Sequence, residues 1–204
     1  MNRNDVLIVC ALKQETQGQL TEGSINDWNI LYTGVGKVNA TYKLTERLTD
    51  YHYVEPKLVI NYGTAGSRKI KKEQLVDCTK FIQRDMDVRG LGFMKHQTPY
   101  ESINGMVIQY RTEPPSPLFN PIGKNYTCGT GDSFVESLEK GDTNINVFDM
   151  EAYALAKVCR NFDVPFISFK YITDNVNEHS AKDWTENCSA GIHLFKSQIL
   201  SKIT

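Results

Sequence analysis

Val6-Leu7-Ile8-Val9-Cys10-Ala11-Leu12 is an unbroken apolar run near the start of the chain, rich in β-branched residues. A strand solvated on one face would alternate polar and apolar residues. A continuous run of this length reads instead as a central strand covered on both faces. Outward from it, residues 28–33 read as a second strand, and Gly34-Val35-Gly36-Lys37 leads into 38–49, whose apolar spacing suits a helix. The same unit is expected at 57–62, where Leu58-Val59-Ile60 runs into Gly63-Thr64-Ala65-Gly66, and a further strand at 164–172. Helices are expected at 150–161 and 184–203; the first carries Ala152, Ala154, Leu155, Ala156 and Val158, a small apolar set suited to packing on a sheet. Buried strands alternating with helices predict an α/β fold.

The chain has 204 residues, a size at which a single core suffices, because chains divide into domains beyond roughly 250 residues. One domain spanning 1–204 is expected. Residues 98–125, with Pro99, Pro114, Pro115, Pro117 and Pro121 around one strand-like run at 106–110, read as an irregular excursion. A formal net charge of −1 with dispersed Lys and Arg provides no field for a nucleic-acid backbone or an anionic membrane. A small-molecule partner fits better. The basic cluster Arg68, Lys69, Lys71, Lys72 reads as a solvated loop.

Five cysteines with no C-x-x-C pair predict free thiols in a reducing compartment. No leader pattern and no apolar stretch near the roughly 20 residues of a membrane span is present, so a cytoplasmic location is expected. His52, His96, His179 and His193 are scattered without ligand spacing and read as solvated surface, which leaves no metal or other cofactor implied.

Four segments fall where strands of an open α/β sheet collect ligands: 11–16, 61–67, 129–135, and 149–151 with Thr173-Asp174. Each alone is weak, since Gly34-Val35-Gly36 is as well read as a tight turn and Gly63 to Gly66 as punctuation. Together they are specific. Val6 to Thr16 is a first strand ending in a glutamate, followed in order by Gly34-Val35-Gly36-Lys37-Val38-Asn39-Ala40, Asn61-Tyr62-Gly63-Thr64-Ala65-Gly66, Asp85-Met86-Asp87-Val88, Gly131-Asp132-Ser133-Phe134-Val135, Asp149-Met150-Glu151-Ala152, 159–166 and Ile172-Thr173-Asp174. In order and spacing these resemble the methylthioadenosine/S-adenosylhomocysteine nucleosidases. The resemblance implies a mixed central sheet flanked by helices in the nucleoside phosphorylase-like arrangement, hydrolysis of a purine ribosyl bond, and a homodimer.

Such a bond breaks through an oxocarbenium-like state, so a site must neutralise the leaving purine, aim a water and stabilise the sugar cation. The resemblance implies Asp174 as general acid at purine N7 and Glu15 as the group polarising water. It places Glu151 under the ribose hydroxyls with Met150 against the sugar, Phe134 stacked on the base, and Val135 at the purine edge. Thr64, Ala65 and Gly66 join the site. Leu12, Val88, Leu91, Phe93 and Trp184 fall at positions lining the pocket for the 5′ substituent, some reached from a second subunit. Taken alone, Asp174 reads as a helix N-cap, Glu15 as a surface charge, Glu151 as a carboxylate favoured by a helix dipole, and Phe134 as core.

Lys170 stands where the family carries an arginine that holds the water, and an ammonium does not reproduce a guanidinium fork. Thr64 replaces a serine, Tyr153 a small residue, and 98–125 lacks a helical segment of the family. Two rival functions remain at this stage: a phosphate-dependent phosphorylase, disfavoured because Asn61 occupies the place of an arginine, and a non-catalytic nucleoside-binding protein.

Overall fold

The strand Val6–Cys10 (β1) is buried along its whole length, and its side chains divide between two cores as the two-residue period of a strand requires. Leu7 and Val9 enter one core with Ala40, Leu44, Leu155 and Phe166, whereas Val6, Ile8 and Cys10 enter the other with Ile60, Phe169 and Phe195. The computed structural model describes residues 2–20, 28–101, 107–109 and 118–203. After β1 come β2 (Asn29–Tyr32), α1 (Lys37–Thr49), β3 (Leu58–Gly66), β4 (Leu75–Gln83), β5 (Ile108–Gln109), β6 (Tyr126–Thr130), β7 (Val147–Asp149), α2 (Ala152–Asn161), β8 (Phe166–Asp174), α3 (Ser180–Asn187) and α4 (Ile192–Gln198).

The sheet is mixed. β1 lies between β2 and β3, parallel to both. β3 is also parallel to β8, β8 is antiparallel to β4, β4 is parallel to β6, and β6 is parallel to β7. β7 returns to β3 through the antiparallel pair Gly66 and Phe148. β3, β8, β4, β6 and β7 thus form a closed circuit, with β1 and β2 extending from β3, and β5 from β4. Helices α1 and α2 cover one face, and α4 covers the other through Ile192 and Phe195. The Phe195 ring stacks on Tyr62 with centroids 4.3 Å apart. Burying such rings contributes about 1.5–3 kcal/mol each, enough to fix a short helix on the sheet.

Four expectations change. Gly63 to Gly66 is not a turn before a helix but the end of β3, and the chain runs directly to β4. These glycines serve close approach between strands: a Cβ on Gly66 would lie 2.6 Å from Asp174 Oδ1. α2 begins at Ala152 rather than 150, because Asp149 Oδ2 accepts the Ala152 N–H at 2.9 Å and Thr130 Oγ1 accepts that of Tyr153 at 2.9 Å. The expected helix over 184–203 is split between α3 and α4, and Gly191 sits where a Cβ would lie 2.3 Å from the Tyr171 ring. His96 is buried, not solvated, with Nδ1 2.7 Å from the Arg84 carbonyl.

Within the excursion, Ile108 and Gln109 pair with β4; Met106, Tyr110, Pro114, Pro115 and Pro117 lie outside the described residues. All five cysteines are free. In the basic cluster Arg68, Lys69 and Lys71 are exposed, and Lys72 pairs with Asp183 at 2.9 Å. Among the described residues no helix is long and apolar enough to cross a membrane.

Candidate active site

One cavity opens at the ends of β1, β3, β7 and β8. It is lined by Ala11, Leu12, Glu15, Val35, Thr64, Ala65, Gly66, Ser133, Phe134, Val135, Phe148, Asp149, Met150, Glu151, Asp174 and Trp184. Eleven of the fifteen residues singled out from the sequence meet here: Leu12, Glu15, Thr64, Ala65, Gly66, Phe134, Val135, Met150, Glu151, Asp174 and Trp184. Lys170 does not line it, and Val88 lies outside it at the start of the 3-10 turn Arg89–Leu91. Leu91 is exposed, and Phe93 stacks edge-on against Tyr100 at 5.6 Å.

Glu15 sits in the 3-10 turn Lys13–Thr16 that follows β1 and is buried. Its Oε1 accepts the Thr64 N–H at 2.8 Å and the Thr64 hydroxyl at 3.0 Å, and Oε2 accepts the Leu12 N–H at 3.0 Å. These bonds account for a carboxylate that leaves water, so the surface-charge reading does not hold. Asp174 ends β8; its Oδ1 accepts the Val176 N–H at 3.0 Å, and Oδ2 lies 3.0 Å from Thr173 Oγ1. α3 begins only at Ser180, so Asp174 caps no helix.

Glu151 occupies the N-cap of α2, and its Oε1 accepts the Gly36 N–H at 2.8 Å. The glycine turn after β2 therefore reaches across to the Glu151 carboxyl, a link that only Gly36, at φ 92°, makes without strain. Burial, then the neighbouring Asp149, push the Glu151 carboxyl up to about 8, against the opposing influence of Lys170 and the Gly36 bond.

Beneath the cavity, Lys170 Nζ lies 2.8 Å from Asp149 Oδ2, both side chains 1% exposed. Burial alone would lower Lys170, but Asp149, with Glu151 among the other neighbours, raises it above the ordinary lysine value. Burial likewise opposes ionisation of Asp149; Lys170, the Thr130 hydroxyl and the Ala152 N–H outweigh it and hold this carboxyl low. Lys170 is thus a fixed cation shared among carboxylates, not a side chain reaching into the cavity.

The two lips are tied together. Lys37 Nζ lies 2.5 Å from Asp85 and 3.1 Å from Asp132, and the Arg84 guanidinium donates to Ser133 Oγ at 2.8 Å. Phe134, 44% exposed, is cavity wall and not core. The sequence reading gave no site role to Asp149, Val35, Gly36, Ser133 or Arg84. Asp149 carried a signal, as a carboxylate beside Glu151, and Gly36 as half of a glycine pair; Arg84 carried none. Among the described residues no group of three or more His, Cys, Asp or Glu could hold a metal ion.

The family model described as the phosphorylase superfamily matches residues 11–195. The 5′-methylthioadenosine/S-adenosylhomocysteine nucleosidase of Haemophilus influenzae is 31% identical over 166 residues, 75% of this chain and 71% of that protein. The structure of the nucleosidase of that name from Helicobacter pylori, with butyl-thio-DADMe-Immucillin-A, superposes with a TM-score of 0.79 at 20% identity, covering 96% of each chain. Futalosine hydrolase of Helicobacter pylori superposes with a TM-score of 0.77 at 19% identity, covering 97% of each. The chain belongs to the phosphorylase superfamily and, within it, to the methylthioadenosine/S-adenosylhomocysteine nucleosidase family.

Proposed function

We propose that this protein hydrolyses the bond between purine and ribose of an adenine nucleoside such as methylthioadenosine, S-adenosylhomocysteine or adenosine, releasing free base and the ribose derivative. The observation carrying this reading is that Glu15, Glu151 and Asp174, from three separate strand ends, line one cavity with Phe134. The base stacks on Phe134, with its edge toward the backbone of Val135. Asp174 donates the proton that neutralises the leaving purine. Glu15, held by Thr64 and Leu12, takes charge from the attacking water, and Glu151 holds the ribose hydroxyls beside Met150.

A phosphorylase reading is not supported, because no Lys or Arg side chain is among the described lining residues to pair with a phosphate. Asn61 instead spends its side chain in the core, on the Val9 carbonyl and the Ser168 hydroxyl. The reading extends to a single-domain protein acting as a cytoplasmic homodimer. Free cysteines support the compartment, and exposed Val38, Tyr42, Leu91 and Met94 offer apolar surface for a second copy. Sedimentation would test the latter. Incubation with adenosine, methylthioadenosine, S-adenosylhomocysteine and inosine, with and without phosphate, tests the activity. Base released without phosphate supports hydrolysis; base released only with phosphate, or binding without release, contradicts it.

A further inference from the structure

Trp184, in α3, does more than line the cavity. Its indole Nε1 lies 2.9 Å from Thr64 Oγ1, and that oxygen lies 3.0 Å from Glu15 Oε1. An indole N–H can only donate, and an ionised carboxylate can only accept. The Thr64 hydroxyl has one hydrogen. With an oxygen lone pair taken by Trp184, that hydrogen points at Glu15. We infer that Trp184 is a positioning residue: its indole N–H fixes the direction of the Thr64 hydroxyl, and so the orientation of the Glu15 carboxylate toward water.

This inference rests on the nucleosidase reading and assigns Trp184 a part in orienting the group that polarises water, in addition to contact with the 5′ end of a substrate. The preceding residue supports the arrangement. Asp183 pairs with Lys72, at 2.9 Å, in the loop between β3 and β4, which clamps α3 over the cavity. Lys72 of the basic cluster therefore holds in place the helix that carries the indole. Because Trp184 is also cavity wall, displacement of the ring would loosen the hold on Glu15.

Variants of the full chain test this. Trp184→Phe keeps an aromatic ring and removes the N–H. It should lower kcat about 5- to 20-fold, the scale of one hydrogen bond, with KM within about threefold. Thr64→Val should lower kcat further, and Thr64→Ser, which keeps a hydroxyl, far less. Adding Trp184→Phe to Thr64→Val should cost nothing more, since both cut the same relay. A readout independent of turnover is the indole N–H resonance: the chain has two tryptophans, Trp28 and Trp184, and Thr64→Val should shift the one that Trp184→Phe removes.

Wild-type kcat in Trp184→Phe beside an inactive Glu15→Gln would overturn the inference alone. Additive losses, or an unmoved indole resonance in Thr64→Val, would do the same. An unaltered protein releasing no base would overturn the proposed function and this inference with it.

Discussion

Lys170 Nζ and Asp149 Oδ2 lie 2.8 Å apart beneath the cavity, the two side chains excluded from water. The ammonium neutralises a carboxylate that also receives the first N–H of α2 and the Thr130 hydroxyl at 2.5 Å. One ion pair thus joins β8, β7 and the helix that presents Glu151. Removing one partner of a buried pair leaves an uncompensated charge, which costs about 3–5 kcal/mol, whereas replacing both with apolar groups is often neutral.

Lys170→Met is therefore expected to destabilise the protein by about 3–5 kcal/mol. In a chain of this size that is a fall in Tm of roughly 2–4 °C per kcal/mol. The double variant Lys170→Met with Asp149→Leu should recover much of the loss. Denaturant unfolding of the two variants checks this; equal destabilisation of single and double variants would contradict the pair as described.

Glu151→Gln should raise stability, and more so at pH 8 than at pH 5. The Glu151 carboxyl is pushed up to about 8 from 4.5, so between those values the native state binds a proton that the unfolded chain has lost. Stability contributed by this group is complete below about 4.5 and is lost as pH rises through about 8. Glutamine has no charge to bury at any pH. Melting temperatures at the two pH values decide; a larger gain at pH 5 would be the wrong sign.

Gly66→Ala should reduce turnover strongly. Its Cβ would fall 2.6 Å from Asp174 Oδ1 and 3.0 Å from Val176 Cγ2, so the Asp174 carboxyl, the proposed proton donor, must move. A displacement of this kind can cost a factor of about 100 in rate. Steady-state kinetics with the preferred nucleoside measure it, with near-native turnover as the contrary result.

Much of this arrangement was legible in the sequence where a residue's local pattern and its tertiary role coincide. Val6 to Cys10 and Phe166 to Ile172 read as buried strands because both faces are covered by apolar cores. The carboxylates of the site were found through motif order, since their isolated contexts pointed elsewhere. β4 was not recognised. Its Leu75-Val76-Asp77-Cys78-Thr79-Lys80 mixes polar with apolar residues, yet Asp77 is fully buried, with its carboxylate satisfied by the Lys124 and Asn125 N–H groups and the Asn120 amide. Partners more than 40 residues away license that burial, and no local pattern reports them.

The same limit explains the C-terminal helices and Lys170. A helical pattern over 184–203 is interrupted because Gly191 meets the Tyr171 ring of β8, a contact made only after folding. Lys170 looked from its place in the motif like a modified water ligand. Pairing with Asp149 across the strands makes it the counter-charge of the carboxylates instead.

The assignment as a whole depends on Asp174 supplying the proton to the leaving base, and Asp174→Asn isolates that role with little change in shape. Base release without phosphate, measured alongside nucleoside binding by calorimetry, is the direct test. Turnover should fall by roughly three orders of magnitude or more while affinity stays within about tenfold, as loss of a transition-state interaction requires. Turnover of the variant at the unaltered rate would contradict the account.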